Sequence, residues 1–326
     1  MTGPPGDTGI DGLIDGVKQR RIRDIARAIT LVENQGPQGR VLMSALAERA
    51  PAGDRSRTVG LTGAPGVGKS TMTSALIAAY RTRGMSVAVL AVDPSSPFSG
   101  GALLGDRIRM QSHSADKDVF IRSMASRGHL GGLAAAAGQV LRVFDAAGFD
   151  VVLIETVGVG QSEVEIAAAA DTTVVLLAPG MGDGIQAAKA GILEIGDVFV
   201  VNKADREGAQ TTARELRQMI ALSAESTDDS WVPPVITAVA STGVGVDEVM
   251  ASIDSHHAWA LENGALLSRR IRRAREEVLS ELLGNVRAQA VREPAASTLT
   301  SMAQEVAHGR SSVHAAAERL WLTLRD

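Results

Sequence analysis

Residues 57–82 read RTVGLTGAPGVGKSTMTSALIAAYRT, and this stretch decides the fold. It opens as a short strand, closes as a helix, and between the two Gly63-Ala64-Pro65-Gly66-Val67-Gly68-Lys69-Ser70 matches the phosphate-binding pattern GxxxxGK[ST]. Glycines are needed there because the backbone must wrap a phosphate with its N–H groups pointing inward. Lys69 adds a point charge, the Ser70 hydroxyl reaches Mg²⁺, and Thr71 beside it is a further candidate for binding the nucleotide. A strand, a phosphate loop and a helix in that order begin an α/β nucleotide-binding sheet.

Outward from this unit, apolar runs alternate with helical patterns as far as about Ile253. The runs are apolar throughout, as in strands buried on both faces. They fall at Thr58–Thr62, Ser86–Val92, Val119–Arg122, Asp150–Ile154, Thr173–Leu177, Val198–Val201 and Val235–Val239. The expected fold is therefore an α/β P-loop NTPase, with a doubly wound, mostly parallel sheet of about seven strands. Helical patterns flank it. One covers about Leu13 to Asn34 and a second about Gly39 to Arg49, separated by the breaker pair Gly36-Pro37. After His257 strand signals stop, and helices are expected over about Gly264–Ala288, Thr298–Ala307 and Ser311–Leu324. The organisation read from this is an N-terminal helical extension over residues 1–54, a nucleotide-binding domain over 55–257 and a helical arm over 258–326. In the first arm helix Leu267, Ile271, Ala274, Val278, Leu282 and Val286 form one apolar stripe, suited either to packing on the chain's own domain or to a dimer.

Asn202-Lys203-Ala204-Asp205 follows the sixth strand and matches NKxD, which selects guanine over adenine. The Asp205 carboxylate can accept from both the ring N–H and the exocyclic amine of guanine, Lys203 can lay its stem along the base, and Asn202 can pin the neighbouring loop. A site built to hydrogen-bond its ligand rejects an analogue lacking those groups by as much as about 10⁴.

Asp93 and Glu155 each end a strand at the carboxyl edge of the sheet, where nucleotides bind, and both are candidates for the Mg²⁺ shell. In Glu155-Thr156-Val157-Gly158 the Gly158 amide is placed to sense a γ-phosphate. Many GTPases follow that glycine with a Gln that orients water. Here Val159 stands there and Gln161 is out of register, so intrinsic hydrolysis is expected to be slow. The Gly-rich loops at 99–110, 122–132 and 180–189 are the expected moving parts, and Asp106, Arg107, Asp183 and Lys189 are their candidate contacts to phosphate, metal or partner.

Composition excludes several classes. There is no cysteine, hence no disulfide, thiolate zinc site or cysteine nucleophile. A net charge of −4 offers no general attraction to nucleic acid or anionic membrane. The run Arg269-Arg270-Ile271-Arg272-Arg273 lacks aromatic stacking partners and reads as a solvated helix face. His256-His257 lacks a third ligand. No run approaches a spanning helix and the N-terminus lacks a secretory signal, so the expected location is cytoplasmic.

Over nearly its whole length the chain resembles the MeaB-type GTPases, chaperones of methylmalonyl-CoA mutase that have also carried the label LAO/AO transport system ATPase or kinase. The resemblance rests on GAPGVGKST, VDPSSPFSGGALLGDRIRM, RSMASRGHLGGLA, ETVGVGQSE, PGMGDGIQAAKAGILEI and VNKAD. It implies a homodimer whose GTP hydrolysis, with Mg²⁺, gates delivery of adenosylcobalamin to a cobalamin-dependent acyl-CoA mutase and protects that mutase. An adenosyltransferase is a further candidate partner. In that picture Lys69 and Ser70 hold phosphate and Mg²⁺, Asp93, Asp106 and Glu155 serve the metal and switch regions, and Asp183 and Lys189 sit on a loop that meets the partner. Asn202, Lys203 and Asp205 hold the base. The last base-contacting loop departs from the usual Ser-Ala, reading Val239-Ala240, which leaves the Ala240 amide for the base. The competing readings are an ATP- or GTP-using transport kinase, against which NKAD argues, and a GTPase serving a different metallocofactor enzyme.

Overall fold

A computed structural model of the chain describes residues 9–34, 36–48, 56–94, 113, 115–126, 132–156, 168–180, 193–223 and 230–324. Seven strands form one sheet: β1 (Arg57–Thr62), β2 (Val87–Pro94), β3 (Val119–Ser126), β4 (Val151–Thr156), β5 (Thr172–Leu177), β6 (Val198–Asn202) and β7 (Val235–Ala238). Their order is β3-β2-β4-β1-β5-β6-β7, and every paired neighbour is parallel. The sheet is thus wholly parallel where a mostly parallel one was expected. Each apolar run of the sequence lies in one of these strands, within two residues at its start and four at its end.

Among the described residues the helices are α1 (Ile10–Lys18), α2 (Ile22–Glu33), α3 (Pro37–Glu48), α4 (Lys69–Thr82), α5 (Gly132–Ala146), a single turn α6 (Leu193–Ile195), α7 (Ala209–Ser223), α8 (Val246–Glu262), α9 (Ala265–Ala290), α10 (Ala295–Ala307) and α11 (Val313–Thr323). Successive strand residues point to opposite faces, so one strand feeds two cores. In β2, Ala88, Leu90 and Val92 join α1, α2, α3 and α5 on one face, while Val87, Val89 and Ala91 join α4 and α8 on the other. A third cluster places α7 over β5, β6 and β7 through Phe199, Ala213 and Leu216. Burial on both faces is why the strands read as unbroken apolar runs.

The first helical pattern is not one helix. It breaks between α1 and α2 at Arg20, which has φ +55°, an uncommon conformation for a residue with a Cβ. The reason is tertiary. Arg20 Nε donates to Ala147 O at 3.0 Å, its terminal nitrogen donates to Gly148 O, and its guanidinium sits 5.3 Å from the centre of the Phe149 ring.

The arginine run is a second departure. Instead of forming a solvated face, Arg269 makes a bidentate pair with Asp197, both contacts at 2.6 Å. Arg270 reaches Asp171 at 2.7 Å, and Arg273 reaches Asp171 and Ala169 O. Both aspartates are buried at the starts of β5 and β6, where Asp171 accepts from the Thr58 amide and Asp197 from the Thr173 amide. His256 completes the cluster. It is fully buried, with Nδ1 2.8 Å from Thr172 Oγ1 and Nε2 3.2 Å from Asp197 Oδ1. Burial favours the neutral form of Asp197, but the hydrogen bonds and charge of Arg269 and His256 outweigh it and hold the carboxyl below its ordinary range.

The chain divides into two compact units, Met1–Arg273 and Ala274–Asp326. In the second, α10 packs on α11 through buried Ala295, Met302 and Ala316, and Arg319 pairs with Glu305 at 2.9 Å. Along α9 the apolar stripe stays exposed: Leu267, Ile271, Val278 and Leu282 show 55 to 67 % of their surface.

Candidate functional site

The phosphate loop runs from the end of β1 to the start of α4, at the carboxyl edge of the sheet. Two of its glycines are dictated by space. At Gly63 (φ +140°) a Cβ would overlap the carbonyl of Leu176 on β5, and at Gly68 (φ +96°) it would lie 2.5 Å from Asn202 Nδ2. Lys69 is buried and folds back over the loop, donating to Gly63 O at 2.6 Å and Ala64 O at 3.1 Å. Its ammonium therefore stands inside the loop's curve, where a bound phosphate would meet it.

The Ser70 hydroxyl donates to Glu155 Oε1 at 2.5 Å. β4 pairs with β1 and β2, with Glu155 opposite Leu61 and Ala91, so the carboxylate comes out beside the phosphate loop. Two further buried oxygens, Thr62 Oγ1 and Thr156 Oγ1, have no hydrogen-bond partner among the described residues and adjoin Gly63 and Glu155 in sequence. A hydroxyl and a carboxylate in contact form a hard-oxygen donor pair, which suits Mg²⁺. Asp93 is the penultimate residue of β2 on this edge, one residue beyond the Val92–Thr156 pairing. Its side chain lies outside the described residues, as do Asp106, Arg107, Gly158, Val159, Gln161, Asp183 and Lys189.

The base motif meets the phosphate loop directly. Asn202 is buried; its Nδ2 donates to Val67 O at 2.8 Å, and its Oδ1 accepts from the Ala240 amide at 3.0 Å. The Ala240 amide is thus engaged with Asn202 in this arrangement, so Ala240 acts first as a strut of its loop. Lys203 takes φ +57° and donates to Gly66 O at 2.6 Å, which lays its stem along the loop; Asp205 is exposed two residues on. Lys69, Ser70, Glu155, Asn202, Lys203 and Ala240 therefore converge on one edge.

Beside them lies a cavity of about 660 Å³, walled by Ser70, Thr71, Ser74, His113, Ala240 and Ser241 among others. Ser74 and His113 are hydrogen-bonded, Oγ to Nε2, at 3.0 Å. Neither belongs to a motif, and no spacing in the sequence marks them.

A parallel sheet with a phosphate loop after its central strand, and an NKxD loop tied to it, defines the P-loop GTPase class. The family model described as methylmalonyl-CoA mutase-associated GTPase MeaB matches residues 25–295, and the chain belongs to that family. A relative from Pyrococcus horikoshii, named as a GTPase, is 49% identical over 278 residues, covering 85% of this chain and 87% of its own. The mouse methylmalonic aciduria type A homolog, a mitochondrial protein, is 35% identical over 276 residues, covering 80% of this chain and 66% of its own. Among solved structures, an LAO/AO transport system kinase shares the fold with a TM-score of 0.71 at 24% identity, covering 99% of this chain and all of that one. The protein is a GTPase.

Proposed function

We propose that this GTPase serves as a nucleotide-dependent chaperone of a cobalamin-dependent acyl-CoA mutase, methylmalonyl-CoA mutase in the first instance. In this reading it gates adenosylcobalamin delivery and protects the mutase, acting as a cytoplasmic homodimer that an adenosyltransferase can join. The observation that carries the reading is the family match over residues 25–295, whose description names association with that mutase.

The site residues divide the work. Lys69 and the loop amides hold the phosphates, and Lys69 exchanges its contacts to Gly63 O and Ala64 O for the anion. Ser70, with Glu155 beside it and Asp93 and Asp106 as further candidates, would hold Mg²⁺, which when bound neutralises charge on the β- and γ-phosphates. Glu155 orients the Ser70 hydroxyl. Lys203 and Asp205 receive guanine, and Asn202 keeps the base loop in register with the phosphate loop. A residue in the water-orienting position is Val159, so a partner that orders the neighbouring loops would raise turnover. The test is GTP hydrolysis and nucleotide-dependent binding with a purified mutase.

A further inference from the structure

At the carboxyl edge of the sheet β1 ends on Thr62 and β4 ends on Thr156. The register that sets Leu61 opposite Glu155 brings these two threonines side by side on adjacent strands. Leu61 belongs to the core on the α4 face and Glu155 meets Ser70 of α4, so both threonines turn to the opposite face of the sheet. There they form the middle of one row across four strands, Val92, Thr156, Thr62 and Val175, and every member is at most 2 % exposed. The outer two are valines within the apolar clusters. The inner two carry hydroxyls, and neither hydroxyl has a hydrogen-bond partner among the described residues. Valine has nearly the shape of threonine and brings no polar atom, so exchanging a buried, unpartnered hydroxyl for it is neutral or stabilising. Packing alone would therefore favour valine across the whole row.

Each hydroxyl stands one residue from a group of the nucleotide site. Thr62 precedes Gly63, which opens the phosphate loop, and Thr156 follows Glu155, which with Ser70 makes the oxygen pair suited to Mg²⁺. We infer that Thr62 and Thr156 are positioning residues for GTP, whose hydroxyls pair with each other across the strand ends when the magnesium triphosphate is bound. Neighbouring strands lie about 4.8 Å apart, so a turn of one threonine about χ1 brings its O–H onto the other oxygen, and a hydroxyl can take either part. Mg²⁺ bridges the β- and γ-phosphates, so a triphosphate ties the loop at Gly63 to the carboxylate at Glu155 more tightly than a diphosphate does. A hydrogen bond made only in that state adds to triphosphate affinity and not to the stability of the fold without nucleotide.

The experiment is calorimetric titration of the full-length protein with GDP and with a non-hydrolysable GTP analogue, both with Mg²⁺, alongside urea unfolding without nucleotide. The variants are Thr62→Val, Thr156→Val, the double substitution and Thr156→Ser. Each valine variant is expected to unfold at or above the wild-type urea midpoint and to keep its GDP affinity, while its affinity for the GTP analogue falls by about tenfold, the order of one well-formed hydrogen bond. The double variant falls no further than either single one, because all three lose the same bond. Thr156→Ser, which keeps the hydroxyl, keeps the wild-type ratio of analogue to GDP affinity. The inference is overturned if the valine variants keep that ratio, if they weaken both nucleotides equally, if the two single losses multiply in the double variant, or if the valine variants unfold at lower urea without nucleotide, which would mean that the hydroxyls are bonded in that state already.

Discussion

Asn202 donates to Val67 O at 2.8 Å and accepts from the Ala240 amide at 3.0 Å, so a single buried side chain couples the phosphate loop to the base loop. Asn202→Ala would leave a buried carbonyl and a buried amide unpaired. The expected cost is about 1–3 kcal/mol in unfolding free energy, together with weaker binding of GDP. Denaturant unfolding with and without GDP measures both. A variant equal to the wild type in stability and affinity would remove the strut.

Asp205→Asn is expected to shift preference from GTP toward xanthosine triphosphate. Xanthine carries a carbonyl where guanine carries its exocyclic amine, and an amide side chain can donate to that carbonyl. With about 1–3 kcal/mol for each unpaired contact, the reversal should be plain in competition binding. Loss of GTP with no gain for the xanthine nucleotide would assign Asp205 a structural role only.

Asp197 makes acid stability a test of the buried cluster. Its folded-state carboxyl is held below the usual range, with Arg269 and His256 overcoming the opposing effect of burial. A carboxyl with a depressed folded pKa contributes stability above its unfolded value of about 3.9, and that contribution is lost as pH falls through the folded value. Asp197→Asn, which strands Arg269, should cost about 3 kcal/mol at pH 7. The gap from wild type should narrow as pH drops below about 4. Urea unfolding across that range would show it, and a gap independent of pH would contradict the account.

The exposed stripe of α9 is expected to mediate the homodimer, since two-fold pairing presents the same apolar patch to itself. Light scattering should report a dimer for the full chain and a monomer for Ile271→Asp combined with Val278→Asp. A monomeric wild type, or a dimer that survives the double substitution, would remove this interface.

What the sequence made legible follows from physics that acts locally. The strands announced themselves because burial on both faces leaves no polar alternation, and the phosphate loop and NKAD because their chemistry is set by spacing. The break at Arg20 was hidden, since KQRRIRD contains neither Gly nor Pro and the carbonyls that hold the arginine come from Ala147 and Gly148. The arginines of α9 looked solvated because their partners, Asp171 and Asp197, lie far away in sequence. The double role of Asn202 needed Val67 and Ala240 to be brought together by the sheet. Ser74 and His113 carried no signal, because a hydrogen bond between a helix face and a distant turn leaves no spacing to read.

The central proposal is a GTPase coupled to a mutase, and one paired measurement bears on it most directly: phosphate release from GTP with and without a purified cobalamin-dependent acyl-CoA mutase, alongside calorimetry of the two proteins with GDP and with a non-hydrolysable GTP analogue. By linkage, a partner that favours the triphosphate-ordered loops must bind more tightly when the triphosphate is present, and a tenfold difference requires only about 1.4 kcal/mol. The account predicts faster phosphate release with mutase, abolished by Lys69→Ala, and an affinity that differs between the two nucleotide states. Equal affinity in both states together with unchanged turnover would contradict it.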